Sequence, residues 1–341
     1  MRIHAAAGPS RCPRFPLGLA RYVSPRGSNR APGTCARPWR SVQRALDRAQ
    51  PDQTIFVRAG TYSQALTATR SGAAGAVITL RAYPGEHPEL TGRLKIAGSY
   101  MRVSGFVFGG RTAANPSDVL IYVAGADNVE ISHNELRHAA RSAIYVGDAE
   151  KSADNIRIVG NFVHDNGTHA NLDHGIYFGY ANGGLIANNV ITGNLSQGIK
   201  LAPRAYAAVV ADNTVVGNGN SGILVGGDDV DISSGNLIVN NIVARNADWG
   251  IRTYWESAGV GAGNRAWQNV VWGNRSGASW FPGGGLDESD SILARPAFVA
   301  ANDYHLAPGS PAIGAADPSF SQPTDYEGRR RTTPDIGAFE H

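Results

Sequence analysis

Two tyrosines, a lysine and an arginine recur in this chain at intervals that would set them in one row. Each follows an isoleucine in a short repeated run: Ile144-Tyr145, Ile176-Tyr177, Ile199-Lys200 and Ile251-Arg252, with Ile223-Leu224 between the last two. Trp280 continues the series. If the runs are strands stacked in register, adjacent members stand about 5 Å apart and next-nearest members about 10 Å. That pitch suits an extended polymer lying across the row. Aromatic faces would stack on its rings, and the planar fork of Arg252 suits a carboxylate. Amines and phenols also move protons when nearby charge or burial shifts their pKa. Arg204, in the loop after Lys200, and Arg252 would give Lys200 cationic company that favours its neutral, basic form. Tyr177, one run earlier, is placed to donate a proton. Asp173 and His174 enter the Tyr177 run and read as a charge-oriented imidazole, hence a rival base. Asp148, Trp255 and Glu256 follow neighbouring runs and would extend the binding surface. Each residue also has an ordinary reading, because a solvent-facing Lys or Arg is usually a solvated charge or a surface ion-pair partner.

Other chemistries have weaker signals. His164, Asp165 and His169 share a loop and are candidate metal ligands, but their spacing is not diagnostic, so the metal assignment stays unknown. His133 and His138 read as surface residues. Gly226-Gly227 is turn chemistry. No Walker-type loop, dinucleotide fingerprint or zinc-spaced cysteine set is present.

The elements that must position the row come from an internal repeat. Segments of the form Ile-x-x-Asn-x-Val recur at Ile131–Leu136, Ile158–Val163, Ile186–Ile191, Val210–Val215, Ile238–Val243 and Ala266–Val271. Their asparagines, Asn134, Asn161, Asn189, Asn213, Asn241 and Asn269, are 27, 28, 24, 28 and 28 residues apart. Short β-branched runs separated by Asn and Gly at this period fit one turn of a solenoid, each strand pairing with its equivalent in the next coil. Ile144, Ile176, Ile199, Ile223 and Ile251 then face inward, and the residue after each faces out. The asparagines suit bends, where they tolerate left-handed backbone, and stacked amides would bond coil to coil.

Composition agrees. Gly is frequent at 42 residues, charged residues are 17%, and apolar residues at 42% are ample for a core. Pro38 to Ala49 has helical spacing of Trp39, Val42, Ala45 and Leu46 and reads as an N-terminal capping helix that covers an otherwise open sheet end. The last sixty residues lose the repeat. The expected division is 1–20 leader or flexible extension, 21–75 cap and first strands, 76–282 coils, and 283–341 C-terminal cover or tail. Residues 1–20 lack the apolar run of a signal peptide. Cys12 and Cys35 allow one disulfide, left open here. The net charge of +3 is mild and its basic residues are scattered, which argues against a nucleic-acid partner. No apolar stretch is long enough to span a membrane. Solenoids of this size are expected to be monomers.

The segments Tyr22-Val-Ser-Pro-Arg-Gly-Ser, Pro51-Asp-Gln-Thr-Ile-Phe-Val-Arg-Ala-Gly-Thr-Tyr62 and Tyr83-Pro-Gly-Glu resemble the opening of secreted right-handed parallel β-helix proteins of the pectate-lyase-like and alginate-lyase-like superfamily. Tyr304-His-Leu-Ala-Pro-Gly-Ser-Pro-Ala-Ile-Gly and Asp335-Ile-Gly-Ala-Phe-Glu340 resemble the closing segment of bacterial extracellular β-helix proteins. The resemblance implies an all-β right-handed parallel β-helix with an N-terminal capping helix and an irregular C-terminal cover, an extracellular location and an acidic polysaccharide as partner. It also implies calcium as the candidate cofactor, although the aspartate cluster of calcium-dependent pectate lyases is not evident beyond Asp228-Asp229. The Asp-Pro-His motif of mannuronan epimerases has only a partial echo in Asp173-His174.

The leading expectation is therefore a polysaccharide lyase cleaving a uronate polymer by β-elimination, with Lys200, Tyr177, His174, Asp173 and Arg204 as catalytic candidates. Tyr145, Arg252, Trp255, Glu256 and Asp148 are the substrate-binding candidates. A glycoside hydrolase on the same fold needs two carboxylates about 5–10 Å apart, for which Asp148, Asp173, Asp228 and Glu256 are available and Asp148 with Asp173 are the pair expected on adjacent coils. A uronate epimerase and a non-catalytic carbohydrate-binding or adhesin solenoid complete the alternatives.

Overall fold

The computed structural model describes Cys12 and residues 19–109, 119–228, 230–254, 259–282 and 284–341. The chain winds into coils of three short strands, and each strand pairs in parallel with its counterpart one coil away. Among the described residues this makes three long sheets. The first has eleven strands, from Ala20–Val23 to Leu286–Ser289. The second has nine, from Thr61–Tyr62 to Val270–Trp272. The third also has nine, from Leu66–Ala68 to Gly277–Trp280. This is the expected right-handed parallel β-helix. The coils reach beyond the 76–282 interval on both sides, because Thr54–Val57, Thr61–Tyr62 and Leu66–Ala68 already make one coil and Leu286–Ser289 still pairs in the first sheet.

Alternation drives the packing. In the third sheet Ile121, Ile144, Ile176, Ile199, Ile223 and Ile251 are wholly buried and stack into one column of the core. Val123, Val146, Phe178, Leu201 and Val225, two residues on, form a second buried column. The residue between each pair faces out, as a period of two requires.

The expected asparagine ladder runs through the bend between the first and second sheets. Each amide Nδ2 from Asn134 to Asn241 donates to Oδ1 of the next coil's asparagine at 2.9–3.1 Å. The left-handed backbone falls one residue earlier than expected, on His133, Asn188, Asp212, Asn240 and Gln268. The ladder asparagines are held by their inward amides instead. A second ladder, Asn166, Asn194, Asn218, Asn246 and Asn274, lies between the second and third sheets with bonds of 2.9–3.0 Å. Its signal was present in the sequence, five residues after each member of the first from Asn161 onward. Both ladders satisfy amides that burial would otherwise make costly.

A helix of Val42–Asp47, shorter than Pro38 to Ala49, caps one end. Ser41 accepts from Arg44 N at its start, and Val42, Ala45 and Leu46 join the core. Cys12 and Cys35 are joined by a disulfide. At the other end a hairpin of Phe298–Ala300 and Asp303–Leu306 leads into a tail that packs on the outer face of the second sheet. Ala312 and Ile336 pack with Val216, Ile242 and Val270, while Phe339 packs with Val190. The tail is also pinned by polar contacts. Gln322 N donates to Asp212 Oδ2 (2.8 Å), Ala338 N to Thr214 Oγ1 (3.0 Å), and the buried Arg331 to Asn188 Oδ1 (3.1 Å). Among the described residues no helix is long and apolar enough to cross a membrane.

Candidate functional site

The third sheet keeps its outer face open, and its strand register aligns one row: Thr67, Lys95, Tyr122, Tyr145, Tyr177, Lys200, Leu224, Arg252 and Trp280. The single file expected for Tyr145, Tyr177, Lys200 and Arg252 is present. Lys95 and Tyr122 belong to it and were missed. Tyr122 lies in an Ile-Tyr-Val run identical to that of Tyr145, but the preceding segment does not carry the asparagine repeat, so periodicity alone did not reach it.

The tyrosines use their faces differently from expectation. Tyr145 and Tyr177 stack on one another, with centroids 4.4 Å apart and planes 6° from parallel. Tyr122 meets Tyr145 edge-on at 5.7 Å. The Lys200 ammonium lies 5.2 Å from the centroid of Tyr177, and the ring of His174 lies 5.6 Å from it. Stacked along the helix axis, these rings offer edges and hydroxyls to a ligand rather than open faces. Burial raises the Tyr177 pKa above the ordinary phenol value, helped by Tyr145, to which it is hydrogen-bonded. Tyr177 therefore holds its proton. Burial and a bond to Asp148 push Tyr122 up to about 12, and Tyr122 donates to Asp148 Oδ2 at 2.9 Å.

His174 is not the Asp173-oriented imidazole expected of it. It is buried, its Nδ1 has no hydrogen-bond partner, and its backbone N–H donates to Ser142 Oγ (2.9 Å). Burial, and secondarily the charge of Lys200, pushes its pKa down to about 3. Asp173 does not orient it. That carboxylate accepts from the backbone N–H groups of Thr168 (2.9 Å) and His169 (2.7 Å) and pairs with Arg141 at 2.9 Å. Burial alone would raise the Asp173 pKa, but those bonds hold it below the usual carboxylate range. Asp173 organises a loop, and His174 is a neutral ring packed beside Tyr177 and Lys200.

The cationic company of Lys200 is also smaller than its sequence neighbours imply. Arg204 pairs with Asp231 at 3.6 Å and lies 5.7 Å from the Tyr180 ring. Arg252 pairs with Asp248 at 2.7 Å. Each arginine brings a carboxylate with it, so their fields partly cancel.

The remaining candidates scatter. Asp148 follows the C-terminal end of its strand, whereas Asp173 precedes the N-terminal end of the next one, so the two stand at opposite rims of the sheet. Trp255 and Glu256 lie outside the described residues, as does Asp229. His164 pairs with Asp165 (2.8 Å) and Glu135 (3.4 Å) on the second sheet, while His169 pairs with Asp173. Among the described residues no group of three or more His, Cys, Asp or Glu side chains could hold a metal. Calcium needs several oxygens converging on one point. Asp228 Oδ1 instead accepts from Val230 N (2.9 Å) and Asp231 N (2.7 Å), and Asp231 faces Arg204. The described carboxylates do not gather into a calcium site.

Stacked parallel sheets with an open, polar and aromatic outer face define the right-handed parallel β-helix class. The chain belongs to the family described as the Pel9A-like right-handed beta helix region, matched over residues 21–278. Pectate lyase PEL9 of Emericella nidulans is 47% identical over 76 residues, 21% of this chain and 18% of that protein. YwoF of Bacillus subtilis is 38% identical over 71 residues, 21% of this chain and 15% of that protein. Each alignment thus spans less than a fifth of the relative's length. Among solved structures, pectate lyase Pel9A aligns over 94% of this chain and 96% of its own at a TM-score of 0.66 and 14% identity. A glycoside hydrolase aligns over 80% and 96% at 0.57 and 9% identity. These structural likenesses concern the fold.

Proposed function

We propose that the chain is a polysaccharide lyase that binds a uronate polymer along the third sheet and cleaves it by β-elimination. The observation that carries this reading is the register that makes Tyr177 and Lys200 neighbours on one open face, with the Lys200 ammonium over the Tyr177 ring. Family membership and the likeness to pectate lyases support it.

In the proposed reaction Lys200, having given its ammonium proton to solvent, takes the proton from C5 of the uronate. The C5–H electrons form the C4–C5 double bond, and the C4–O4 bond breaks. Tyr177 gives its phenolic proton to the departing O4 and is reprotonated afterwards, while Lys200 returns its proton to solvent. A phenol held in its neutral form by burial is a proton source, and its neighbour in the row is an amine, so the two halves of the transfer fall to adjacent coils. Arg204, three residues beyond the Lys200 strand, faces the carboxylate of the reacting sugar. Tyr145, Arg252 and Asp148 hold flanking sugars. One chain supplies the whole row, so a monomer suffices. The Cys12–Cys35 disulfide supports action outside the cell.

The test is ultraviolet absorbance of the conjugated unsaturated uronate on pectate, alginate and glycosaminoglycans, with Lys200→Ala as control. A rise that depends on Lys200 supports elimination. New reducing ends without absorbance would assign hydrolysis, and inverted uronate without chain cleavage would assign epimerisation. Binding without turnover, in which Lys200→Ala alters only affinity, would leave a carbohydrate-binding solenoid.

A further inference from the structure

Two coils beyond Lys200 the row carries a second cation built unlike an ordinary surface arginine. The Nη1 of Arg252 donates to Asp248 Oδ2 at 2.7 Å. Asp248 is gripped from the coils on either side, by Ser221 Oγ (3.1 Å) and Ser276 Oγ (2.7 Å). The guanidinium carbon lies 4.9 Å from the centroid of Trp280, which itself stacks on Trp249 at 5.8 Å. Arg252 Nε is buried and has no hydrogen-bond partner. A side chain with several rotatable bonds is thus fixed by one carboxylate and one indole. Such pre-aiming reduces the entropy lost when a carboxylate docks.

The spacing carries the second half of the argument. Lys200, Leu224 and Arg252 are successive register partners, so the two cations are two coils, or about 10 Å, apart. Leu224 between them is buried and offers neither charge nor hydrogen bond. A pyranose ring in an extended chain advances by about one coil spacing. A sugar acid over Leu224 would lose water without gaining a partner, which is costly.

We infer that Arg252, aimed by Asp248 and Trp280, is a carboxylate-reading subsite two coils from Lys200, and that the preferred ligand is an acidic polysaccharide whose uronate recurs at every second sugar. Asp248 is a positioning residue, since it acts on the ligand through Arg252. This rests on the proposed course of an acidic chain along the third sheet.

Calorimetric binding of a short alternating uronate oligosaccharide and of its carboxyl-reduced counterpart, to wild type, Asp248→Asn, Arg252→Lys and Lys200→Ala, tests both levels. Asp248→Asn and Arg252→Lys should each weaken the acidic ligand on the order of tenfold, the loss of a charge-assisted contact, and leave the reduced ligand unchanged. A purely structural role for Asp248 would weaken both ligands alike and overturn the assignment. Should Asp248→Asn fail to fold, Arg252→Lys carries the test. If the acidic ligand needs Lys200 but ignores Asp248 and Arg252, the subsite falls while the acidic track stands. If a homopolymeric uronate binds wild type more tightly than the alternating chain, the two-sugar repeat is wrong. If neither acidic chain binds wild type, the track itself falls and the subsite with it.

Discussion

The outer faces of the second and third sheets are built from the same coils, yet they do opposite things. On the second sheet the outward positions Val190, Thr214, Ile242 and Val270 are buried under the C-terminal tail. On the third sheet the equivalent positions are Tyr177, Lys200, Leu224 and Arg252, and no tail crosses them among the described residues. Both faces back onto buried inward columns, and the second asparagine ladder runs along the bend that joins them. A solenoid thus separates its tasks by residue parity: one half of each strand holds the stack, and the other half is free either to recruit the chain's own tail or to meet a ligand. The difference teaches where to look for function, because the aromatic and cationic row of the third sheet is the one that the tail leaves uncovered.

The largest expected effect separates these roles. Lys200→Ala should lower turnover on the order of 10³-fold, as removal of a general base does, with little change in thermal stability. Ile242→Ala under the tail should do the reverse, costing about 3 kcal/mol of stability for a buried apolar truncation while turnover per folded molecule stays as in wild type. Paired kinetics and chemical denaturation check both. A Lys200→Ala protein that unfolds early but turns over normally would erase the distinction.

The faces should also answer pH with opposite signs. His174, just before the Ile176–Phe178 strand of the third sheet, has a folded pKa of about 3, far below its unfolded value, because burial disfavours its charge. The unfolded chain therefore binds the extra proton, and the stability tied to neutral His174 is present above about pH 6.5 and lost as pH falls, by on the order of 5 kcal/mol in full. Asp212, at the bend that enters the second sheet and bonded to the tail at Gln322 N, is raised to about 6 by burial, against the pull of Arg331. There the folded state holds the extra proton, so its contribution is present below about pH 4 and lost as pH rises to 6, on the order of 3 kcal/mol in full. Denaturation of wild type, His174→Gln and Asp212→Asn between pH 4 and 7 checks this. Relative to wild type, His174→Gln should gain as pH falls and Asp212→Asn should gain as pH rises. Parallel curves for all three would show that neither group titrates as its surroundings require.

What the sequence disclosed follows the same parity. Ile144, Ile176, Ile199, Ile223 and Ile251 sit in a repeat of fixed period, so their burial and the outward row followed from alternation alone. Side-chain pairing across coils did not follow. Nothing in the order of residues says that Tyr145 and Tyr177 spend their faces on each other, or that Asp173 turns to Thr168, His169 and Arg141 while His174 bonds Gln197 instead. Those outcomes depend on loop path and on neighbours tens of residues away. Asp248 was missed for the same reason, since its value lies in Ser221 and Ser276 on adjacent coils and in the arginine four residues on. Lys95 and Tyr122 escaped because the asparagine spacing that set the register begins only at Asn134.

The smallest effect is the most discriminating, because it removes one hydroxyl on each face. Thr192 Oγ1 and Tyr304 Oη are hydrogen-bonded at 3.0 Å where the tail meets the second sheet. Thr192→Val should cost about 1 kcal/mol, the net worth of one such bond, and leave every kinetic constant alone. Tyr145→Phe removes the phenol hydrogen-bonded to Tyr177, at a similar cost in stability. Its kinetic consequence should differ in kind. Tyr145 is one of the influences holding the Tyr177 pKa up, second to burial, so its loss lets Tyr177 ionise at lower pH. If Tyr177 must be neutral to protonate the leaving oxygen, the alkaline limb of the kcat profile should move to lower pH in Tyr145→Phe and stay in place in Thr192→Val. An alkaline limb that does not move would remove Tyr177 from the role of acid, because a proton donor cannot be indifferent to the loss of the group that helps it keep its proton.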